Sequence, residues 1–429
     1  MGTTSRRTRS SSAATWHGDP YQAFAWYAGR VDLTESAADR AFRDEVRTWL
    51  AEHLVGEWCD LQGLGGPGRD HEAFEERLAW NRLLAEHGWT CLGWPEEYGG
   101  RGLSLWQQVI FHEEYARADA PHGVNHLGET LLGPTLIAFG SDAQKERFLP
   151  RIRAVEELWA QGYSEPDAGS DLANVQTKAR LEGDEWLVDG QKVWTSNAHL
   201  SDWCFVIART EPGSTRHHGL SFLLVPLRQD GVEIRPIEQL TSGSEFNEVF
   251  FTGARTSADL VVGEPGQGWG VAMGLLGFER GVSTLGQTVG FARELDDVVA
   301  RARQNGSIDD PVVRDRLARL KVELSAIRSF ALRALALVEG GQDSAAGGGA
   351  GSIFKLAWAN WHRQLGEVAM DVAGASGLLT QGTSTPYDLD EHQRLYLFSR
   401  SDTIYGGSDE VQKNILAERV LGLPKEPRG

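Results

Sequence analysis

Two polar segments carry the side chains best suited to binding an extended ligand. Residues 161–171 read QGYSEPDAGSD, and residues 189–197 read DGQKVWTSN. Their glycines and small hydroxyl residues, beside predicted strands, offer backbone N–H groups and hydroxyls to a polar ligand, and Trp194 adds a flat aromatic face. The same composition is typical of turns around a core tryptophan. From these residues alone, both interpretations stay open.

Other motifs with known chemistry are absent from the sequence or lack their context. Residues 63–68 satisfy the pattern GxGxxG, but no apolar strand precedes them and an acidic helix start follows at Arg69. We therefore predict a plain loop there. The sequence contains no P-loop, no HExxH and no GxSxG pattern, and His112 lacks a second histidine four residues later. Nucleotide hydrolysis and zinc proteolysis thus have no support, and the sequon at Asn305 is predicted to be a turn.

Composition bounds the class of protein. The 429 residues suffice for about three domains of roughly 150 residues, and 41% hydrophobic with 24% charged residues is typical of a globular protein. A net charge of −18 disfavours partners held by a phosphate backbone, so we expect no nucleic acid. Cys59, Cys91 and Cys204 show no metal-ligand spacing. They are predicted to be reduced, structural thiols, with no metal site.

The N-terminal residues bear on location. The sequence has no apolar run of 18 residues, so we expect neither a membrane span nor a secretory signal. Residues 1–30 are predicted to be a disordered tail, and the protein to be cytoplasmic. Because residues 1–18 are rich in Arg and Ser and poor in acids, a mitochondrial presequence, and with it the mitochondrial matrix, is the alternative.

Hydrophobic periodicity divides the chain into three parts. Residues 31–157 have the helical period, with Thr34, Ser104 and Ser141 as predicted N-caps. Residues 158–268 change to a period of two, with a hairpin turn predicted at Asp189 and Gly190. Residues 269–425 return to helical spacing. The predicted class is α+β, with an N-terminal helical domain, a central β domain and a C-terminal helical bundle.

The same patterns give individual elements. The predicted helices cover residues 34–54, 71–87, 104–117, 126–138, 142–155, 269–305, 311–338, 350–375 and 402–420. The predicted strands include residues 185–188, 191–195, 203–208, 219–225 and 248–251. The glycine-rich stretch at 341–351 is predicted to be flexible.

A third segment completes a set of ordered motifs. Residues 404–414 read IYGGSDEVQKN. Together with residues 161–171 and 189–197, this segment resembles the three signatures of the acyl-CoA dehydrogenase family of flavoproteins. The likeness runs in register from about residue 35 to 422, and the family shares the order of helical, β and helical domains. The resemblance implies the family's fold and a bound FAD.

The resemblance also implies cofactor contacts along the isoalloxazine edge, over the flavin face, near N5 and at the dinucleotide part. Tyr163, Ser164 and Ser170 would line the isoalloxazine edge, Trp194 would shield the flavin face, and Ser196 would bind near N5. Ser408 and Glu410 would contact the dinucleotide part. Gly374 would lie where a neighbouring subunit meets the pyrophosphate. One departure leaves open how the adenine half is held. The family's Arg-x-x-Phe-Gly motif and following His-Gln are replaced here by residues 303–306 and 310–311.

The catalytic base is implied by a second departure. Many members have a glutamate directly after the tyrosine of the third signature, but here that position is Gly406. In another group of members a glutamate precedes an arginine on the helix after the β domain, and Glu279 and Arg280 match this pattern. Helical spacing places Glu279 beside an apolar stripe that includes Leu275. Glu279 is therefore the expected base.

Position 406 keeps a role without a side chain. In the family, the backbone N–H at this position stabilises the thioester oxygen as the α proton leaves, and glycine retains that N–H. The volume freed by Gly406 would admit a branched or bulky acyl group. The expected substrate contacts are Ser170, Phe278, Arg280 and Tyr405.

The resemblance thus implies an FAD-dependent enzyme that converts an acyl-CoA to a trans-2-enoyl-CoA and passes electrons to an electron-transfer flavoprotein. The expected assembly is a homodimer, a homotetramer or a mixed tetramer. Alternatives are a dehydrogenase of acyl groups on a carrier protein, a flavin monooxygenase of the same fold, and a non-catalytic subunit of a mixed tetramer. The retained Glu279 argues against the last two.

Overall fold

Helices, then strands, then helices follow one another along the chain, which confirms the predicted α+β class. The structure is a computed structural model, and it describes residues 35–279, 283–339, 347–380 and 388–425. For residues 279, 283–286, 336–339 and 347–348, it describes the backbone alone. The predicted tail at 1–30 lies outside the described residues.

The N-terminal part is helical. Its α-helices are α1 Ala37–His53, α2 Phe74–Glu86, α3 Leu105–Arg117, α4 Gly133–Phe139 and α5 Asp142–Arg153. The π-helix Leu127–Leu132 runs directly into α4, and 3₁₀ turns occur at Gly56–Leu61 and Glu96–Tyr98. The helices predicted in this part are confirmed, with shifted ends.

Side-chain caps fix where these helices begin. Ser104 and Ser141 form capping boxes with Gln107 and Gln144, as predicted for the two serines. The predicted cap at Thr34 is wrong. Ser36 caps α1, because its hydroxyl accepts the N–H of residue 39 while the carboxylate there accepts the Ser36 N–H.

The strands of the central part are β1 Trp159–Gly162, β2 Lys178–Glu182, β3 Glu185–Ser196, β4 Trp203–Arg209, β5 Leu220–Pro226, β6 Val232–Ile237, β7 Phe246–Ser257 and β8 Val261–Val262. They form one sheet with the order β6-β7-β3-β2-β4-β5-β8, in which β1 pairs with β4 in parallel. Alternate residues of β4 and β5 enter different apolar clusters on the two faces. Both faces are therefore covered, which explains the continuous apolar runs.

The hairpin predicted at Asp189 and Gly190 is wrong, because β3 continues through both residues. The register with β7 shifts between Val188 and Asp189, which marks a β-bulge. Asp189 Oδ1 accepts the Gly253 N–H at 2.7 Å. A Cβ on Gly190 would lie 2.7 Å from the Thr177 Cα, so the close approach of two backbones explains the glycine.

The C-terminal part is a helical bundle. Its helices are α6 Gly268–Glu279, α7 Ser283–Gln304, α8 Pro311–Glu339, α9 Gly347–Ala373, α10 Glu391–Phe398 and α11 Asp409–Ile415, followed by the π-helix Leu416–Val420. Leu295, Leu320 and Trp361 bury α7, α8 and α9 against one another. Trp361 Nε1 also donates to the Leu320 carbonyl at 2.9 Å.

Two predictions in this bundle need correction. The helix predicted from Asp402 begins at Asp409, because Gly406 and Gly407 have φ of 61° and 88° and break the helical path. The stretch predicted to be flexible is partly helical, since α9 begins at Gly347. The rest of that stretch, residues 341–346, lies outside the described residues.

Two further findings concern the described residues. No helix among them is both long and apolar enough to cross a membrane. In the same part of the chain, no group of three or more His, Cys, Asp or Glu side chains is placed to hold a metal ion. The three cysteines are unpaired, with Cys91 and Cys204 buried and Cys59 exposed.

Candidate active site

The first polar segment leaves the end of β1 and places its residues at different depths. Tyr163 is buried, and its ring packs edge-on against Phe205 and Phe222 at centroid distances of 6.0 and 6.3 Å. Ser164 is half-buried and Ser170 is exposed. The fixed tyrosine ring therefore anchors a segment whose serines remain accessible.

A buried ion pair joins this segment to the second one. Lys192 Nζ lies 2.8 Å from Glu165 Oε1 and 3.1 Å from the Tyr163 carbonyl oxygen, with the lysine side chain fully buried. Glu165 also accepts the N–H groups of Gln176 and Thr177 at 2.5 and 2.9 Å. Burial alone would raise the pKa of Glu165, but the ammonium and these hydrogen bonds outweigh burial and lower the pKa. The carboxylate therefore stays ionised beside its cation.

The second segment presents Trp194 on a bulge. The Val193 N–H donates to the Ser164 carbonyl at 2.9 Å, and the register of β3 shifts between Lys192 and Thr195. Trp194 has a φ of 57°, which is rare for a bulky residue, and its side chain is 58% exposed. The alternative of a core tryptophan is wrong, because the bulge turns the indole outward.

The second segment ends on residues from two other parts of the chain. The Asn197 N–H donates to the Glu245 carbonyl at 2.6 Å, and Asn197 Nδ2 donates to Asp70 Oδ2 at 3.2 Å. Glu245 lies just before β7 and is 6% exposed. Its Oε1 accepts the Gly68 N–H at 2.8 Å. The loop predicted at 63–68 is confirmed, and it reaches the end of the second segment.

Reasoning from the sequence missed Asp70 and Glu245. The acidic stretch after residue 68 predicts a helix start at Arg69, but α2 begins only at Phe74. Asp70 is therefore in a loop that can turn toward Asn197. Glu245 stands alone before a strand, so no local pattern in the sequence marks it.

The third segment forms a tight turn around Gly406. Tyr405 is 40% exposed, and its hydroxyl donates to Asp402 Oδ1 at 2.7 Å. Gln412 Nε2 donates to the carbonyls of Gly406 and Gly407 at 3.1 and 3.3 Å. Among the described residues the Gly406 N–H meets no acceptor. The turn thus presents an unused N–H on an exposed residue.

A charged histidine holds this turn in place. His362 Nδ1 lies 2.5 Å from Asp402 Oδ2, and Nε2 lies 2.9 Å from Glu294 Oε2. Burial would lower the pKa of His362, but the two carboxylates outweigh burial and raise the pKa to about 10. His362 is therefore an imidazolium at neutral pH, and it joins α9, α7 and the turn.

The expected base lies at the end of α6. Leu275 is fully buried one turn earlier, and Phe278 is 38% exposed. The helix packs close to α4, where a Cβ on Gly274 would lie 2.6 Å from Phe139. Glu279 is its last described residue, and Arg280 lies outside the described residues.

The remaining predicted positions lie apart from the contact between the first two polar segments. Ser408 caps α11 by accepting the Val411 N–H, and Glu410 is exposed in the first turn of α11. Gly374 follows α9 with a φ of 56°. Among the described residues, no hydrogen bond or ring contact joins these three to residues 163–197. Ser196 differs, because it is half-buried and ends β3 two residues after Trp194.

Comparison with protein families identifies the class. Residues 36–156, 160–254 and 266–421 match the models described as acyl-CoA dehydrogenase, N-terminal domain, middle domain and C-terminal domain. The chain therefore belongs to the acyl-CoA dehydrogenase family. It is an oxidoreductase of that family.

Individual relatives cover nearly the whole chain. It is 63% identical to acyl-CoA dehydrogenase IpdE1 of Mycobacterium tuberculosis over 391 residues, which are 90% of this chain and 98% of that protein. It is 61% identical to the IpdE1 of Mycolicibacterium smegmatis over 398 residues, at 90% and 98% coverage.

Solved structures show the same fold. One titled "Tcur3481-Tcur3483 steroid ACAD" matches with a TM-score of 0.78 at 31% identity, covering 92% of this chain and all of that one. The ChsE4-ChsE5 complex from Mycobacterium tuberculosis matches with a TM-score of 0.76 at 29% identity, at 92% and 100% coverage.

Proposed function

We propose that this protein is an FAD-dependent dehydrogenase that converts an acyl-CoA thioester to its trans-2-enoyl-CoA. The observation that carries the proposal is the junction of the two polar segments. There the Val193–Ser164 hydrogen bond and the Lys192–Glu165 pair hold an exposed Trp194 in a left-handed conformation. Such strain, roughly 1–3 kcal/mol at one residue, clusters at functional sites. An outward indole beside serine hydroxyls is suited to the face and edge of a flavin.

The described residues fit this cofactor. Ser164, Ser170 and Ser196 offer accessible hydroxyls. A Cβ on Gly374 would meet nothing within 4 Å, which leaves its backbone open to a second subunit's pyrophosphate. The exposed first turn of α11, with Ser408 and Glu410, would bind the dinucleotide part. When bound, FAD accepts the hydride that leaves the substrate's β carbon.

Glu279 takes the proton from the substrate's α carbon in this proposal. Its position follows the buried Leu275 on α6, and Gly406 at the alternative position cannot serve as a base. A carboxylate that is partly desolvated has a raised pKa, which suits proton abstraction near neutral pH. Phe278 and Tyr405, both partly exposed, would flank the acyl group, and Arg280 is assigned to the substrate by resemblance alone.

Gly406 acts through its backbone. Its N–H, which meets no acceptor among the described residues, donates to the thioester oxygen as negative charge develops there. The Gln412 amide donates to the carbonyls of Gly406 and Gly407, so the turn around position 406 is formed before substrate binds. The absent side chain leaves room for a branched or bulky acyl group.

The proposed partners follow from the family and its relatives. Electrons would pass to an electron-transfer flavoprotein. Because two structural relatives, the Tcur3481-Tcur3483 steroid ACAD and the ChsE4-ChsE5 complex, are named as pairs of different chains, a mixed tetramer is a candidate assembly beside a homodimer or homotetramer. Two relatives that share more than 60% identity with this chain are bacterial, which supports a cytoplasmic location over the mitochondrial matrix.

The test is an anaerobic titration of the FAD-loaded protein with a panel of acyl-CoAs. Bleaching of the flavin absorbance reports the base, hydride transfer and substrate fit together. We expect branched or ring-bearing acyl-CoAs to bleach faster than butyryl-CoA. Correctly folded protein that takes up no FAD would refute the assignment, and faster turnover of a carrier-protein thioester would favour that alternative.

A further inference from the structure

A buried lysine contacts the turn that carries Gly406. Lys355, on α9, is 9% exposed, and its Nζ donates to the Asp402 carbonyl at 2.5 Å. The same nitrogen lies 4.3 Å from the ring centroid of Trp358 and 4.4 Å from that of Tyr405. Lysine is rarely this buried, because removing an ammonium from water costs free energy. The hydrogen bond and the two cation–π contacts offset part of that cost.

Lys355 and His362 share one face of α9, since they lie seven residues apart on the helix. Both reach Asp402, which is 1% exposed: the lysine binds its carbonyl, and the imidazolium binds its carboxylate. The Tyr405 hydroxyl donates to the other carboxylate oxygen. Asp402 is therefore fixed at its backbone and at both side-chain oxygens, and the turn that follows starts from a fixed residue.

Tyr405 is held at three points. Its N–H donates to the Ser401 carbonyl at 3.1 Å, its hydroxyl binds Asp402, and Lys355 lies over its ring. The next N–H along the chain belongs to Gly406. Fixing Tyr405 therefore limits the movement of the N–H that the proposed function assigns to the thioester oxygen.

Lys355 also brings a second positive charge to the base of this turn. The charge of His362 lies between the carboxylates of Asp402 and Glu294. The ammonium of Lys355 lies against the ring of the residue that precedes Gly406. A fixed cation stabilises negative charge that develops on a nearby oxygen, and more strongly where water is excluded.

We propose that Lys355 is a positioning residue of the dehydrogenation, and that its charge favours the enolate at the Gly406 N–H. It acts through Asp402 and Tyr405, which it holds in place. In that step Glu279 takes the α proton, and the electron pair of the C–H bond moves toward the thioester oxygen. Lys355 transfers no proton. The inference rests on the proposed function, because only there does Gly406 meet a thioester.

Three substitutions separate the charge from the contact. Lys355→Met removes both, Lys355→Gln keeps an N–H donor without the charge, and Lys355→Arg keeps both. The probe is (cyclohexylthio)acetyl-CoA, whose sulfur at the β position prevents hydride transfer, so that the FAD-loaded protein removes only the α proton. The long-wavelength absorbance of the enolate beside the flavin, followed against pH, gives the midpoint of that deprotonation.

We expect the midpoint to rise by about one pH unit or more in Lys355→Met and Lys355→Gln, which is a tenfold loss of acidity, and by less than half as much in Lys355→Arg. A wild-type midpoint in Lys355→Met would overturn the proposal. A shift in Lys355→Arg as large as in Lys355→Met would also overturn it, because the charge would then have no effect.

The matched control is Lys145→Met. Lys145 also lies over a tyrosine, with its Nζ 5.9 Å from the ring centroid of Tyr98, but it is on α5. The control should leave the midpoint unchanged. If Lys355→Met fails to fold, the comparison of Lys355→Gln with Lys355→Arg decides the same question.

Hydrogen exchange of the free protein separates this inference from the proposed function. Peptides that cover residues 402–408 should exchange about 10-fold faster in Lys355→Met, while those of β4, Trp203–Arg209, should exchange at the wild-type rate. If no acyl-CoA bleaches the wild-type flavin and no enolate absorbance forms, the proposed function fails, and faster exchange would still show that Lys355 holds the turn. If the wild type bleaches but neither midpoint nor exchange changes in Lys355→Met, the assignment of Lys355 alone fails.

Discussion

Buried ions hold both the segment that presents Trp194 and the turn that presents Gly406, but the conformations that these ions stabilise differ. At Trp194 a buried Lys192–Glu165 pair fixes the segment in which the tryptophan backbone is left-handed. At Gly406 the imidazolium of His362 fixes a turn whose left-handed residue is glycine. The protein retains backbone strain at Trp194, because the indole itself is needed there.

The second region needs only a backbone N–H, so glycine removes the strain. Its anchor is also built differently, because Glu294, His362 and Asp402 come from two helices and a turn, whereas Lys192 lies in β3 and Glu165 in the loop after β1. A pair between a strand and the loop beside it resists local motion. A network between helices couples the turn to the packing of the bundle.

Removing the lysine should give the largest effect in this comparison. Lys192→Met leaves the Glu165 carboxylate buried without its cation, which we expect to lower the free energy of unfolding by about 3–5 kcal/mol. FAD occupancy should fall with it, because Tyr163 and Ser164 lose their support. Urea unfolding and the flavin-to-protein absorbance ratio measure both quantities.

The double variant Lys192→Met with Glu165→Gln is the control for that loss. It removes the buried charge while keeping an acceptor for the N–H groups of Gln176 and Thr177, so part of the stability should return. If Lys192→Met unfolds like wild type, the pair does not hold the flavin-facing segment.

Replacing the expected base tests whether the segment at Trp194 and the turn at Gly406 act on the same substrate. Glu279→Gln keeps the size and removes the basicity, so anaerobic bleaching should slow by about 10²-fold or more with FAD content unchanged. Glu182→Gln, at an exposed position on β2, is the matched control and should bleach at the normal rate. Bleaching of Glu279→Gln at the wild-type rate would place the base elsewhere.

Moving the base sharpens the same comparison. The double variant Glu279→Gly with Gly406→Glu should recover part of the bleaching rate if both positions point at one α carbon. Recovery should be incomplete, because a glutamate at φ 61° is strained and a displacement of about 1 Å can cost roughly 10²-fold in rate.

These regions also differ in how far the sequence could predict them. Periodicity and resemblance identified the α, β, α order and Trp194, but strand propensity could not show that β3 runs through Gly190, since bulges depend on the partner strand. Asn197 bonds both to Asp70, 127 residues earlier in the chain, and to Glu245, and no local pattern records these contacts. The domain boundaries at 157/158 and 268/269 and the assigned roles of the site residues stay predictions.

The histidine network should show itself in the pH dependence of stability. His362 has its pKa raised from 6.5 to about 10 in the fold, so its contribution is complete below pH 6.5 and is lost as pH rises toward 10. Between pH 7 and 8 the wild type should lose up to about 1.4 kcal/mol that His362→Gln does not lose. Urea unfolding at both values measures this difference. Parallel losses in the two proteins would show that the imidazolium does not support the turn.

The smallest effect concerns the strain at Trp194. Because φ there is 57°, Trp194→Gly should be more stable than Trp194→Ala by about 1 kcal/mol, although both lose the indole and should bind FAD equally weakly. At Glu233, on β6 in ordinary extended backbone, the order should be reversed, since glycine there only adds freedom to the unfolded chain. Urea unfolding of the four variants under saturating FAD measures both orders. If Trp194→Ala is more stable than Trp194→Gly, the bulge carries no backbone strain. The contrast with Gly406 would then rest on the side chain alone.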